Sequence, residues 1–268
     1  RRRHGRAGID GGAARGVGVV TASHLIAMPL VDLLRCPDGP RDRQLLMGET
    51  VTVTGVTDGW AEVCAARDGY LGFVPIGALT EGAVTHRVSA RATHVYPKPD
   101  FKARELFSLG YGACLEVLSD EGRFAETPHG YVPRAHLTAL AVHAADPVAV
   151  AEIYLGTPYL WGGNSSFGID CSGLVQAGCL ACGIACPGDS GPQEQGLGEH
   201  LSDTAPLRRG DLLFWRGHVA WVSDPDTLLH ANAHHMAVAH EPITDAIARI
   251  AAQGDGPVTS RKRLKGLS

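Results

Sequence analysis

"GIDCSGLVQ", residues 168–176, sets a cysteine behind an acid and ahead of a serine, a glycine and an apolar run. From Cys171, positions 174, 175, 178, 179 and 182 recur at helical spacing and hold Leu, Val, Gly, Cys and Cys, which predicts a helix with Cys171 in its first turn. A first turn offers unpaired backbone N–H groups and the positive end of the helix dipole, so it favours a thiolate and can hold an oxyanion. Asp170 acts in the opposite sense, as a negative neighbour. The chain has seven cysteines, and free cysteine is among the most buried residue types, so Cys171 needs partners before it reads as a nucleophile.

Downstream stretches supply them. His218 in "RGHVAWV" opens an apolar strand after a Gly turn, and His230 in "TLLHAN" ends the next one. Antiparallel pairing through the "SDPDT" turn sets the two imidazoles side by side, so that one takes the thiol proton while the other fixes its tautomer. Upstream, "AADPVAVAEIYLGTPY" opens a helix with Asp146 as cap and Pro147 at its first position, and Gly156 stops it. A helix-first, then strand-rich domain over 146–266 follows.

The chain ahead of that domain is built differently. "DGWAEVCAARDGYLGFVPIGALT", ending at Thr80, is echoed by "EGRFAETPHGYVPRAHLT", ending at Thr138, an internal repeat of about sixty residues. Each copy alternates apolar and polar residues between Gly, Pro and Asp turns, the pattern of short half-buried strands. Two small all-β barrels are expected over 25–82 and 83–142, behind a flexible tail over 1–24.

Composition narrows the function. A net charge of −4 gives no large field for nucleic acid or an anionic membrane. Five arginines in the first fifteen residues and "RKRLK" near the end read as solvated termini. No stretch approaches the ~18 uninterrupted apolar residues of a spanning helix. An odd number of cysteines without a disulfide framework fits a reducing compartment, and the expected location is the cytoplasm.

Five motifs in order, "GTPYLWGG", "GIDCSGLVQ", "LRRGDLLFW", "GHVAWV" and "LLHAN", resemble the NlpC family of papain-like bacterial cell-wall cysteine peptidases. The paired barrels resemble bacterial SH3-like modules, and the combination resembles the γ-D-glutamyl-L-diamino acid endopeptidases that process murein peptides. The resemblance implies two SH3-like barrels followed by an α+β papain-like peptidase domain. It implies Cys171 as nucleophile, His218 as general base and His230 as its orienting partner. Tyr159 would lie near the oxyanion site and Trp161 would line the pocket. Glu49 of "LMGE" and Tyr70 of "DGYLGF" would close the substrate end with Asp170 and bind a free N-terminal amine. Ser172, Asp189 and Ser190 are further substrate contacts, although a basic residue often precedes that Asp-Ser pair and this chain has Gly188. The implied substrate is a murein tri- or tetrapeptide, L-Ala-γ-D-Glu-L-diamino acid, with no metal or organic cofactor.

Other readings stay open. "CLACGIAC" with Cys179, Cys182 and Cys186, and "HANAHH" with His230, His234 and His235, make a metal site conceivable, but the second cysteine pair of a usual zinc site is absent. The chain could also be a non-catalytic wall-peptide binder, or an amidase or acyltransferase on the same scaffold. Met28, Met47 and Met236 read as core fillers.

Overall fold

A computed structural model describes residues 22–266. The first β unit comprises β1 (Ala22–Ile26), β2 (Leu30–Leu34), β3 (Arg41–Leu46), β4 (Thr50–Thr57), β5 (Trp60–Ala65), β6 (Leu71–Pro75) and β7 (Leu79–Thr80). They form one sheet in the order β3-β2-β6-β5-β4-β1-β7. The sequence "TDGW" explains its tightest hairpin: Thr57 pairs with Trp60, and the intervening Asp58 and Gly59 take φ of 45° and 85°. That left-handed pair matches the strand twist and suits Asp-Gly. The tail expected over 1–24 is too long, because Ala22, Ser23 and His24 pair with Val53, Thr52 and Val51; residues 1–21 lie outside the described residues.

The second β unit holds β8 (His86–Val88), β9 (Ala92–Val95), β10 (Phe107–Gly110), β11 (Cys114–Leu115), β12 (Phe124–Thr127), β13 (Gly130–Pro133) and β14 (Leu137–Ala139). These form three smaller sheets. The repeated Val-Pro-x-x-x-Leu-Thr phrase has one structural meaning in both units. A strand ends at Pro75 or Pro133, a 3-10 turn follows at Ile76–Ala78 or Arg134–His136, and a short strand closes the unit.

The third unit contains α1 (Pro147–Glu152), β15 (Asn164–Ser165), β16 (Gly168–Ile169), α2 (Cys171–Ala181), α3 (Ser190–Gly196), β17 (Glu199–His200), β18 (Asp211–Trp215), β19 (His218–Asp224), β20 (Thr227–Asn232), β21 (Ala237–Pro242), α4 (Ile243–Gln253) and β22 (Ser260–Arg263). Asp146 caps α1 by accepting from the Val148 amide at 2.8 Å. The main sheet runs β17-β22-β18-β19-β20-β21. Its central strands are apolar without alternation because both faces are covered. Leu212, Phe214, Val219, Trp221 and Leu229 pack with α1 and α2, whereas Leu213, Trp215, Ala220, Val222 and Leu228 pack with α4.

The three units share cores as well as surfaces. Leu46 and Met47 of the first unit enter the apolar cluster of the second, and Tyr111 of the second enters that of the third. Met47 is therefore a core residue as expected, but Met28 and Met236 are 44% and 59% exposed. Among the described residues no helix is long and apolar enough to cross a membrane.

Candidate active site

Cys171 is the first residue of α2, and Asp170 is its cap, accepting from the Gly173 amide at 2.6 Å. The acid that stood against a reactive thiol thus has a local structural reason, since Asp is a favoured cap. The second oxygen of Asp170 accepts from the Gly162 amide at 2.9 Å. Cys171 is buried, and burial followed by the Asp170 charge pushes its thiol up to about 12, against the pull of the Val219 and Ser172 amides and of Arg43. The helix start therefore does not by itself produce a resting thiolate, and Asp170 acts in the direction its charge predicts. Proton removal has to come from a neighbouring base.

An imidazole stands at the start of β19, the strand whose Val219 amide draws the Cys171 thiol down. His218 Nε2 and His230 Nδ1 are 2.9 Å apart, and His230 Nε2 lies 3.0 Å from Glu241 Oε2. Arg249 holds Glu241 from the other side, with Nε donating to Oε1 at 2.8 Å and Nη2 to Oε2 at 2.7 Å. Arg249 keeps the Glu241 carboxyl ionised, at about 2. Burial lowers both imidazoles, His218 to about 3 and His230 to about 4, so both are neutral at rest.

These assignments fix the protons along the row. An ionised carboxylate only accepts, so His230 Nε2 carries the hydrogen and its Nδ1 has the lone pair. His218 then donates from Nε2, and Nδ1 is left as the basic nitrogen. Glu241 and Arg249 were not singled out from the sequence; the signal available was an acid on β21 opposite Leu228, two residues before His230 on the neighbouring strand.

The first β unit closes the other flank of Cys171. Arg43, 1% exposed, donates from Nη1 to Ser172 Oγ at 3.1 Å. The same nitrogen is 3.5 Å from Asp170 and 3.7 Å from Asp189. Ser172 donates to Asp170 at 3.1 Å. Tyr70 donates its hydroxyl to Asp189 at 3.1 Å, and Gln176 of α2 donates to Asp68 at 2.8 Å. Gly188 has a steric cause here, because a Cβ would lie 3.0 Å from the Tyr70 ring. A basic side chain at 188 would have to displace that ring, and Arg43 brings a cation to the same carboxylates from another domain.

Two sequence assignments need revision. Glu49 does not join Tyr70 and Asp170; it pairs with Arg67 and lines a cavity of about 270 Å³ with Gly173, Gln176, Ala177, Leu180 and Ala181. At ~100° per residue that stripe lies about half a turn of α2 away from Cys171. Asp170 does reach the site, but its oxygens are occupied by two amides, Ser172 and Arg43. Asp189, expected only as a further substrate contact, has an open side chain, 51% exposed.

The remaining expected residues make fewer contacts with this cluster. Tyr159 is half-buried, its hydroxyl pushed up by burial and then by the Cys171 and Asp170 charges, and it borders the same cavity as His218. The Trp161 side chain is 71% exposed, while its carbonyl accepts from Arg41 Nη2 at 2.9 Å. Ser190 opens α3. Among the described residues, the group with metal-ligand spacing is His230, His235 and Glu241, with ligand atoms within 4.8 Å of one another. It excludes Cys179, Cys182 and Cys186, and Arg249 already occupies the Glu241 carboxylate.

A papain-like arrangement of this kind defines a class. Residues 156–249 match the NlpC/P60 family, and residues 33–79 match the bacterial dipeptidyl-peptidase Sh3 domain. The chain is a member of the NlpC/P60 family that carries a bacterial SH3 domain. It is 30% identical over 200 residues to the gamma-D-glutamyl-L-lysine dipeptidyl-peptidase of Bacillus subtilis (strain 168), covering 67% of this chain and 66% of that protein. Identity to the dipeptidyl-peptidase 6 of Lysinibacillus sphaericus is 39% over 165 residues, 55% of this chain and 60% of the relative. The matched stretches thus span somewhat less than two thirds of these relatives. The fold is similar to that of an NlpC/P60 family protein from Bacillus cereus ATCC 10987, with a TM-score of 0.75 at 22% identity, over 91% of this chain and 99% of the other.

Proposed function

We propose that the chain is a cysteine peptidase that hydrolyses the γ-D-glutamyl–L-diamino acid bond of murein peptides with a free N-terminal L-Ala, and that it serves the recycling of wall fragments in the cytoplasm. The observation that carries this reading is the row His218–His230–Glu241–Arg249 beside a helix-start cysteine. The relatives named as dipeptidyl-peptidases supply the bond type. The second β unit reads as another SH3-like module, since it ends in the same strand, 3-10 turn and strand.

In this reading His218 Nδ1 takes the Cys171 proton as sulfur attacks the γ-carbonyl carbon of D-glutamate. The negative charge moves to the carbonyl oxygen, beside the amides at the start of α2. The imidazolium formed is stabilised through His230 by the Glu241 charge. Collapse of the tetrahedral species breaks the C–N bond, and His218 gives its proton to the leaving amine. Water then attacks the thioester, His218 takes one of its protons, and the thiol leaves with that proton. L-Ala-γ-D-Glu is released as the free acid.

Recognition of the substrate ammonium passes in this account from Glu49 and Asp170 to Asp189, which Tyr70 holds. Arg43 offsets Asp170, so one carboxylate remains for an incoming cation. Incubation with L-Ala-γ-D-Glu-L-Lys, free and N-acetylated, tests both parts. The expected result is release of lysine from the free peptide only, lost by more than ~1000-fold in Cys171→Ser. Equal turnover of the acetylated peptide removes the amine site; undiminished turnover by Cys171→Ser removes the mechanism.

A further inference from the structure

A second cavity borders His218 and Tyr159. Its volume is about 290 Å³, and its wall includes Tyr159, Arg216, His218, His234, Arg249 and Asp255. That is roughly ten liquid-water volumes, the scale of one amino-acid residue. None of Arg43, Tyr70, Asp170, Ser172 and Asp189, the groups of the opposite flank, lines it.

Two of its charges are uncommitted. Arg249 is taken up by Glu241 and Gln253. Arg216 and Asp255 are exposed, and no side chain of the described residues pairs with either. Arg216 lies in the two-residue turn between β18 and β19, two residues before His218, and Asp255 follows the C-terminus of α4.

General acid catalysis sets the position of the leaving residue, because its nitrogen has to come within hydrogen-bond reach of the imidazole that protonates it. The α-carboxylate of a leaving amino acid is only two bonds from that nitrogen, while the ammonium of a diamino acid lies at the end of its side chain. The one uncommitted cation and the one uncommitted anion of this wall complement those two charges.

We propose that this cavity is the leaving-residue site, in which Arg216 binds the free α-carboxylate and Asp255 the side-chain ammonium, so that the preferred substrate ends at the diamino acid. The inference rests on the peptidase reading above and goes beyond it by assigning the other half of the cleft. Peptides extended or amidated at that carboxyl keep the scissile bond but lose the anion.

The test compares L-Ala-γ-D-Glu-L-Lys with its C-terminal carboxamide and with the norleucine analogue, by kcat/KM. Wild type is expected to prefer the free carboxylate about tenfold, the scale of one charge-assisted hydrogen bond. The preference should fall to within twofold in Arg216→Gln and return in part in Arg216→Lys. Preference for lysine over norleucine should fall likewise in Asp255→Asn. Both positions are exposed, and an unchanged thermal midpoint checks that the variants are folded. Equal turnover of carboxylate and carboxamide by wild type, or a preference that persists in Arg216→Gln, overturns the assignment while leaving the peptidase reading intact. Failure of wild type to cleave any of the three peptides rejects both.

Discussion

The two β units end in the same sequence phrase and the same turn, yet they meet the catalytic domain in different ways. The first sends side chains into the neighbourhood of Cys171: Arg43 to Ser172, Tyr70 to Asp189, Asp68 to Gln176. The second grips the domain behind the site. Arg91 donates to the Leu155 carbonyl and the Thr157 hydroxyl, and Arg87 donates to the Ala181 carbonyl at the end of α2. Repetition of a fold therefore does not imply repetition of a role. What separates the units is which end of α2 each one touches.

That contrast is most exposed to failure at Arg43. Its loss leaves Asp170 and Asp189 facing each other beside the thiol, one of them buried. Arg43→Ala is expected to lower kcat/KM by about 100-fold and to cost stability on the order of 3 kcal/mol. Loss of stability with unchanged activity per folded molecule would make the first unit a mere support, like the second.

Within the catalytic domain, Glu241→Gln removes the charge that stabilises the imidazolium in the proposed mechanism. A fall in kcat of about 30-fold with little change in KM is expected. Its carboxylate raises both imidazoles, so the acid limb of the pH profile should move to lower pH in the variant. A change in KM alone would assign Glu241 to substrate binding.

Acid stability sharpens the contrast further, since among the described residues the imidazoles lowered by burial belong to the catalytic domain. His230 is held at about 4 against an ordinary value near ~6.5. Between those values the unfolded chain binds the proton and the folded one does not. Stability is therefore full above pH ~6.5 and declines as pH falls, by on the order of 3 kcal/mol from this group at pH ~4. Glu241 adds a loss that begins below its ordinary range and completes only as pH falls through about 2. Denaturant midpoints at pH 7 and pH 4 measure the slope, which His230→Asn should reduce. The smallest effect belongs to Arg91→Ala, with about 1 kcal/mol of stability lost and kcat/KM within twofold of wild type.

The parts of the site legible in the sequence are those announced by local structure. Cys171 follows a capping acid at a helix start, and His218 opens β19 while His230 lies within the adjacent β20, so the short turn between the strands brings the two imidazoles near one another. The repeat was legible for the same reason, since its Val-Pro phrase marks a turn. Arg43, Glu241 and Arg249 were not, because a charged residue reads as solvated surface until its distant partner is known. Glu49 illustrates the opposite error. Its motif position pointed to the substrate, but the Arg67 guanidinium draws the carboxylate to the far side of α2.

The burial of Arg43 also bears on portability. A gene fragment beginning near Asp146 would encode every member of the Cys171–His218–His230 row, yet the cation opposite Asp170 would be missing from it. Transplanting this domain onto another carrier therefore means transplanting residues 41–44 and 68–70 as well, or recruiting a new guanidinium to the start of α2. The heritable catalytic module is drawn across the domain boundary.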